Sequence, residues 1–338
     1  MSGGVDSSLS AALLREAGYE VTGVYMKNWS QDLPGMKCTW EEDYRDAKKV
    51  AVSLNIPLKV YDFEKAYRQK VVDYMLDGYK QGLTPNPDIM CNQEVKFKLF
   101  FDTAMEDGAE FIATGHYARI KDGHLMTAQD QNKDQTYFLY RVNPDVLDRV
   151  LMPLGEYTKP KVREMAKQRG LSTADKKDSQ GICFIGEVGI KEFLVAELGP
   201  QRPGDIIDEQ GQIVGRHDGS IFYTIGQRHG LNVGGGLPYY VTGKDIEKNQ
   251  VYVTRDISSG KLWTEQFKIG QLHWLEKPSG QFSLKVRTRY RAPLVDCSID
   301  VDKECATVSL SEAVRAVTPG QSAVFYDGDI VIGGGVVV

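Results

Sequence analysis

The sequence is poor in the features that would place it outside the cell, across a membrane or around a structural metal. Its 338 residues hold five cysteines, Cys38, Cys91, Cys183, Cys297 and Cys305, an odd number, widely scattered and without a Cys-x-x-Cys pair. This argues against a secreted disulfide framework and a zinc site, and makes each cysteine a small buried hydrophobe by default. No apolar run approaches the roughly eighteen residues of a membrane span, and no signal peptide opens the chain. A soluble cytoplasmic protein with no membrane partner is expected. Positive charge is not in excess either: the net charge of −5 argues against a generally basic nucleic-acid binder, though not against local basic patches. The hydrophobic content of 41% and charged content of 26% are globular averages, and the length predicts two or three domains.

What is present begins at once, as Ser2-Gly3-Gly4-Val5-Asp6-Ser7-Ser8. Two glycines let the backbone turn and approach a ligand closely. Ser2, Ser7 and Ser8 add hydroxyls beside the N–H groups that a starting helix leaves unpaired, so the segment reads as an anion cradle. No Gly-Lys-Ser/Thr follows these glycines, which excludes a Walker A loop. Asp6 would repel phosphate unless a divalent cation lay between them, and a magnesium-bound pyrophosphate resolves that conflict. The string resembles the PP-loop of the ATP pyrophosphatases, which leave AMP on a substrate oxygen. Such loops follow a buried strand; none precedes Met1 here, so a truncated N-terminus is expected.

From Ser7 to about Ile120 helical and strand patterns alternate. Helices are predicted over Ser7 to Gly18, Thr39 to Asn55, Glu64 to Gln81 and Val95 to Glu106. Strands are predicted over Val21 to Met26, Leu58 to Phe63 and Phe111 to Gly115. Such alternation predicts an α/β doubly wound parallel sheet with ligands at the carboxyl ends of its strands. Val142 to Gly170 reads as helical again, with a basic face at Lys159, Lys161, Arg163, Lys167 and Arg169 that suggests solvated surface. Beyond Gly199, Gly, Pro and short alternating runs mark small β modules, divided near Trp263 to Phe267. In the last of them Lys285, Arg287, Arg289 and Arg291 fall on one face of a strand predicted over Gln281 to Tyr290, and with Tyr290 they read as a phosphate-backbone contact.

Two loop segments carry cysteines. Thr84-Pro85-Asn86-Pro87-Asp88-Ile89-Met90-Cys91-Asn92 is a proline-stiffened loop before a helix predicted from about Glu94, so Cys91 lies near a helix N-terminus, where the dipole lowers a thiol's pKa. Asp178-Ser179-Gln180-Gly181-Ile182-Cys183-Phe184-Ile185-Gly186 holds a second. Two loop thiols beside a pyrophosphatase loop point to redox or sulfur chemistry. Asp88 reads equally as a general base and as the residue of an Asx-type turn.

Together SGGVDSS, TPNPDIMCNQEVKF, ATGHYAR, KDQTYFLY and DSQGICFIG resemble the tRNA-specific 2-thiouridylases of bacteria and mitochondria, and the likeness runs from Met1 to Gly335. The resemblance implies three domains, which we set at 1–198 (PP-loop), 199–263 (central, β-rich) and 264–338 (a β-barrel contacting tRNA). It implies that ATP adenylates O2 of the wobble uridine and that a persulfide on Cys183 supplies sulfur, with Cys91 as the nucleophile that releases the sulfur as sulfide or closes a disulfide. It places ATP at Ser2, Gly3, Gly4, Val5, Asp6, Ser7, Ser8, Met26 and Gly115, with Mg2+ at Asp6 through pyrophosphate. Asn86, Pro87 and Asp88 would meet the target base. His116, Lys133, Asp134, Gln135, Arg289, Tyr290 and Gln321 would meet tRNA. The implied partners are tRNAs for Lys, Glu and Gln and a sulfur-donor protein or cysteine desulfurase, and no DNA.

Three rival readings share parts of the pattern. An amide-forming synthetase would use the loop but neither cysteine, and a non-enzymatic tRNA binder would use the basic strand but not Asp6. An iron–sulfur cluster on Asp88, Cys91 and Cys183 rests on three ligands, one of them a carboxylate, and is not favoured.

Overall fold

The computed structural model describes residues 1–32, 38–177, 189–231, 233–234, 236–277 and 284–338. The DSQGICFIG segment, with Cys183, lies outside the described residues. Among those described, no helix is long and apolar enough to cross a membrane.

The first part alternates as its periodicity predicts. Helix α1 (Val5–Glu16) leads to β1 (Gly23–Lys27), α2 (Trp40–Ser53) and β2 (Leu58–Asp62). One helical run then passes through α3 (Glu64–Tyr67), a π-helical stretch Arg68–Val72 and α4 (Asp73–Lys80); another passes through α5 (Pro87–Met90), π-helical Cys91–Leu99 and α6 (Phe100–Glu106). Strand β3 (Ile112–Ala113), the hairpin β4 (Arg119–Lys121) and β5 (His124–Met126), β6 (Val150–Leu151), α7 (Lys159–Gln168) and α8 (Ile190–Leu198) complete it. The apolar stripe of α1 (Val5, Leu9, Ala12) packs with Val162, Met165 and Ala166 of α7. Met75 and Leu76 of α4 share a separate core with Val95, Phe97, Phe100 and Phe101.

All the strand pairings of this α/β layer are parallel, β1 with β2 and β3 with β6. These are the parallel pairings that the alternation predicts. The described strands stand as two pairs, with a cavity of about 530 Å3 between the edge at Gly23–Val24 and the edge at Ile112–Thr114. Met1 lies at its lip, its amine donating to the Val24 carbonyl.

The second part is a four-stranded sheet in the order β8 (Ile213–His217), β7 (Gly204–Ile207), β10 (Gln250–Thr254), β9 (Tyr240–Asp245). The third is a closed six-stranded barrel, β11 (Trp263–Trp274), β14 (Cys305–Arg315), β13 (Val295–Asp302), β12 (Leu284–Arg287), β15 (Ser322–Asp327) and β16 (Ile330–Val337), with β16 returning to β11. The β4–β5 hairpin of the first part joins this sheet through Met126 opposite Ile330. Asp329 receives the Thr127 N–H at its carbonyl (2.8 Å) and Arg119 at its carboxylate (3.0 Å).

Three local expectations are corrected. Val142 to Gly170 is not one helix: Pro144 opens a 3-10 turn (Pro144–Arg149), β6 follows, and only Lys159–Gln168 is α-helical, since Pro144 and Pro153 cannot sit inside an α-helix. The helix expected from Glu94 starts at Pro87, because the Asn86 side chain accepts from the N–H groups of Asp88 (3.1 Å) and Ile89 (3.4 Å) and Pro87 suits the first helical turn. The four cations do not share a strand face. Strand β12 ends at Arg287, which is buried against Asp134 (3.2 Å) and over the Tyr326 ring. Lys285 and Arg291 are exposed, Arg291 with φ +62°, and Arg289 is held at an inner seam.

The Arg287–Asp134 pair is almost wholly excluded from water, with side-chain exposures of 9% and 0%. Removing one partner strands the other's charge. Arg287→Ala is therefore expected to lower stability by about 3–5 kcal/mol in chemical denaturation, while an Asp134→Asn/Arg287→Met double variant, which removes both charges and keeps an acceptor at 134, recovers most of the loss.

Candidate active site at the phosphate loop and the Cys91 helix

Residues Ser2 to Ser8 form a tight turn onto α1. Gly3 has φ +73°, and a Cβ there would lie 2.3 Å from the Asp43 carbonyl, so only glycine fits. Ser8 Oγ donates to the Gly4 carbonyl (2.7 Å), and Ser7 Oγ lies 3.1 Å from Ser2 Oγ and accepts from Ser2 N–H (3.1 Å). Gly4 at the N-cap offers no side chain to the first N–H groups of the helix, the groups that an anion held in such a loop would meet.

Asp6 stands in this ring of donors with both carboxylate oxygens engaged. Lys159 Nζ donates to Oδ1 (2.7 Å) and Oδ2 (2.8 Å), and the Tyr117 hydroxyl donates to Oδ1 (2.9 Å). Lys159 is buried at 7% exposure, its ammonium 5.6 Å from the centre of the Tyr117 ring. Its own N–H donates to Asp130 (2.8 Å), which fixes the start of α7.

The segment following β3 links this loop to the Cys91 helix. Gly115 lies against the loop backbone: a Cβ there would be 2.9 Å from both Asp6 C and Ser7 N. The next residue, His116, turns the other way, its ring 5.6 Å from that of Phe97. His116 Nε2 is 3.5 Å from Lys96 Nζ and Nδ1 is 2.8 Å from Thr114 Oγ1. An ammonium only donates, so Nε2 accepts and Nδ1 carries the ring proton. Burial, with the charge of Lys96, holds the His116 pKa well below its ordinary value. Lys96 also acts on Asp88: burial raises that carboxyl's pKa and the lysine pulls it down. Cys91 is 3% exposed, one helical turn past Pro87. The Asx cap of the proline loop is made by Asn86, which leaves Asp88's carboxylate out of that turn.

The remaining expected contact residues fall into two groups. Gln135 accepts the Tyr117 N–H at Oε1 (2.9 Å) and donates its own N–H to the Tyr117 carbonyl (2.9 Å). Asp134 is 1% exposed and receives Ala128 N–H (3.0 Å), Thr136 Oγ1 (2.8 Å) and Arg287; Lys133 beside it is half-buried. At the barrel, Gln321 donates to the Thr84 carbonyl (2.6 Å), Arg289 donates to the Ile225 carbonyl (2.8 Å) and Thr318 Oγ1 (2.9 Å), and the Tyr290 ring lies 4.6 Å from that of Phe138. Gln321 and Arg289 thus seam the three parts together around the proline loop. Met26, half-buried, closes the carboxyl end of β1.

Among the described residues no three His, Cys, Asp or Glu side chains gather as a metal-holding group. A lone loop carboxylate suits a magnesium ion that arrives on phosphate oxygens, not one caged by protein. Sequence reasoning missed Lys159, Tyr117 and Lys96. Lys159 was hidden in a basic helical face, yet Lys159-Pro160 marks a helix start, where the dipole disfavours a cation. A lysine there needs an acid, and that was the available sign.

Comparison with known proteins places this geometry. Residues 1–187 match the family model described as tRNA methyl transferase HUP domain, residues 191–255 the tRNA methyl transferase PRC-barrel domain and residues 264–337 the aminomethyltransferase beta-barrel domain. Curated proteins named tRNA-specific 2-thiouridylase MnmA from Levilactobacillus brevis, Bacillus subtilis and Geobacillus thermodenitrificans are each 46% identical, over 100% of this chain and 93% of theirs. With three models matched in order and relatives this similar along its whole length, the chain belongs to the tRNA-specific 2-thiouridylase family.

Proposed function

We propose that this protein replaces O2 of a wobble uridine in tRNA with sulfur at the expense of ATP, releasing AMP and pyrophosphate. The observation that carries the reading is a phosphate loop with a central carboxylate, joined through Gly115 and His116 to a helix bearing Cys91. Methyl transfer, the word in the first two family descriptions, breaks no phosphoanhydride and has no use for that loop. The domain limits 1–198, 199–263 and 264–338 are proposed with it, supported by the spans of the three family models.

The loop Ser2–Ser8 holds the ATP phosphates, with Met26 and Gly115 on the adenine side. Magnesium, when bound beside Asp6, neutralises the departing pyrophosphate. The uridine O2 attacks the α-phosphorus and pyrophosphate leaves. The outer sulfur of a Cys183 persulfide attacks C2, and AMP departs with the oxygen. Cys91 thiolate then attacks the inner sulfur of Cys183, closing a disulfide and leaving sulfur on C2. A second thiol is required because the transferred sulfur is bonded to another that must be displaced. Asn86, Pro87 and Asp88 supply the base pocket, with Asp88 as base for the Cys91 proton. His116, Lys133, Asp134, Gln135, Arg289, Tyr290 and Gln321 support tRNA binding, several of them by holding the seam. The partners proposed are the Lys, Glu and Gln tRNAs and a sulfur-donor protein or cysteine desulfurase, in the cytoplasm.

Incubating the protein with ATP, magnesium, a sulfur donor and unmodified tRNA should yield 2-thiouridine in the nucleoside mass spectrum; its absence with pyrophosphate still released would point to another PP-loop activity. Cys183→Ser should form adenylated tRNA and no thiolated product, whereas Cys91→Ser should accumulate tRNA joined to Cys183 through a disulfide to the C2 sulfur, detected as a thiol-reversible protein–tRNA adduct by mass spectrometry. Full thiolation by Cys183→Ser would reverse the roles. Asp88 must be deprotonated to act as base, so single-turnover rate should rise with pH through its elevated pKa. Because Lys96 pulls that pKa down, Lys96→Met should move the acid limb to higher pH.

A further inference from the structure

A phosphate loop without a Walker lysine still has to neutralise a triphosphate, and its own Asp6 adds negative charge. Among the described residues, Lys159 is the cation hydrogen-bonded to this loop, and it reaches Asp6 with both oxygens in range at 2.7 and 2.8 Å. It is carried from a distant part of the sequence. Its position at the first residue of α7 is electrostatically unfavourable for an ammonium, since the positive end of the helix dipole lies there. Asp6 compensates that position. With both Asp6 oxygens taken by the ammonium and Oδ1 also by Tyr117, the carboxylate is a poorer magnesium ligand than one turned away from Lys159.

We propose that Lys159 is the loop's phosphate-binding cation: when Asp6 turns to the metal of Mg-ATP, the Lys159 ammonium exchanges the carboxylate for an oxygen of the β,γ-pyrophosphate. The exchange replaces one anionic partner by another, so the buried charge is paired throughout. Tyr117 remains as the hydroxyl donor that orients Asp6 during the switch. This inference rests on the ATP reading given above and adds which side chain contacts the leaving group. It makes Lys159 selective for the part of ATP that AMP lacks.

Calorimetric titration of pyrophosphate, ATP and AMP in the presence of magnesium separates the cases. Lys159→Gln should weaken pyrophosphate and ATP about ten- to hundredfold, the worth of one charge-assisted hydrogen bond, and leave AMP within about twofold. Lys159→Arg should recover most of the loss, as a cation of similar reach. Should Lys159→Gln fail to fold, amine-selective labelling of the wild-type protein reads the same contact: pyrophosphate should protect Lys159 from modification and AMP should not. Equal losses for AMP and pyrophosphate, an unchanged pyrophosphate affinity, or no selective protection would overturn the assignment. A wild-type protein that binds ATP normally beside an unaffected Lys159→Gln variant overturns it alone. A wild-type protein that binds neither ATP nor pyrophosphate overturns it together with the ATP reading.

Discussion

A negative charge in a loop built to hold anions is the constraint from which much of this molecule follows. Asp6 needs a cation, and the fold brings Lys159 to it on α7. The start of α7 is held by Asp130, whose carboxylate takes the Lys159 N–H. Asp130 belongs to the turn that continues into Asp134, and Asp134 is anchored by Arg287 of the barrel. A run of contacts, each satisfying a buried charge or donor, therefore ties the first loop of the chain to a strand near its end. Buried charges tolerate few geometries. The loop is as well placed as the barrel that stands behind it.

Residues Gly115 to Tyr117 show how little backbone is needed to join two chemistries. Three consecutive residues face the loop backbone, the Cys91 helix and the Asp6 carboxylate in turn. Their conformations are pinned by neighbours of different kinds: a close backbone contact that only glycine permits, an imidazole between Thr114 and Lys96, and a tyrosine peptide bonded at both ends to Gln135. The phosphate loop and the Cys91 helix are thereby kept in a fixed relation.

The order of helices and strands and the loop motif were legible because they depend on local rules: periodicity, helix starts and the geometry of glycine turns. The barrel was legible from its short alternating strands. Two of the failures depended on a partner far away in the chain, whereas the helix limits near Pro87 and Pro144 were set by local prolines and their Asn caps. Arg287 looks like its neighbours Lys285 and Arg289 until Asp134 is brought beneath it. Lys159 looks like solvated surface until Asp6 meets it. Strand β12 was drawn too long because alternation of cations continues past the point where the backbone leaves the sheet.

The attachment of the β4–β5 hairpin to β16 has a consequence for how the chain is made. The hairpin is synthesised long before the strand that pairs with it. Until then β5 presents an unpaired edge and Arg119 and Thr127 lack Asp329. Folding of the nucleotide-binding part therefore waits on Asp329 and Ile330, and a chain without them leaves the β5 edge open. Strand β16 serves two joints with different residues: Gly333 to Val337 close the barrel onto β11, and Ile330 holds the hairpin that follows His116.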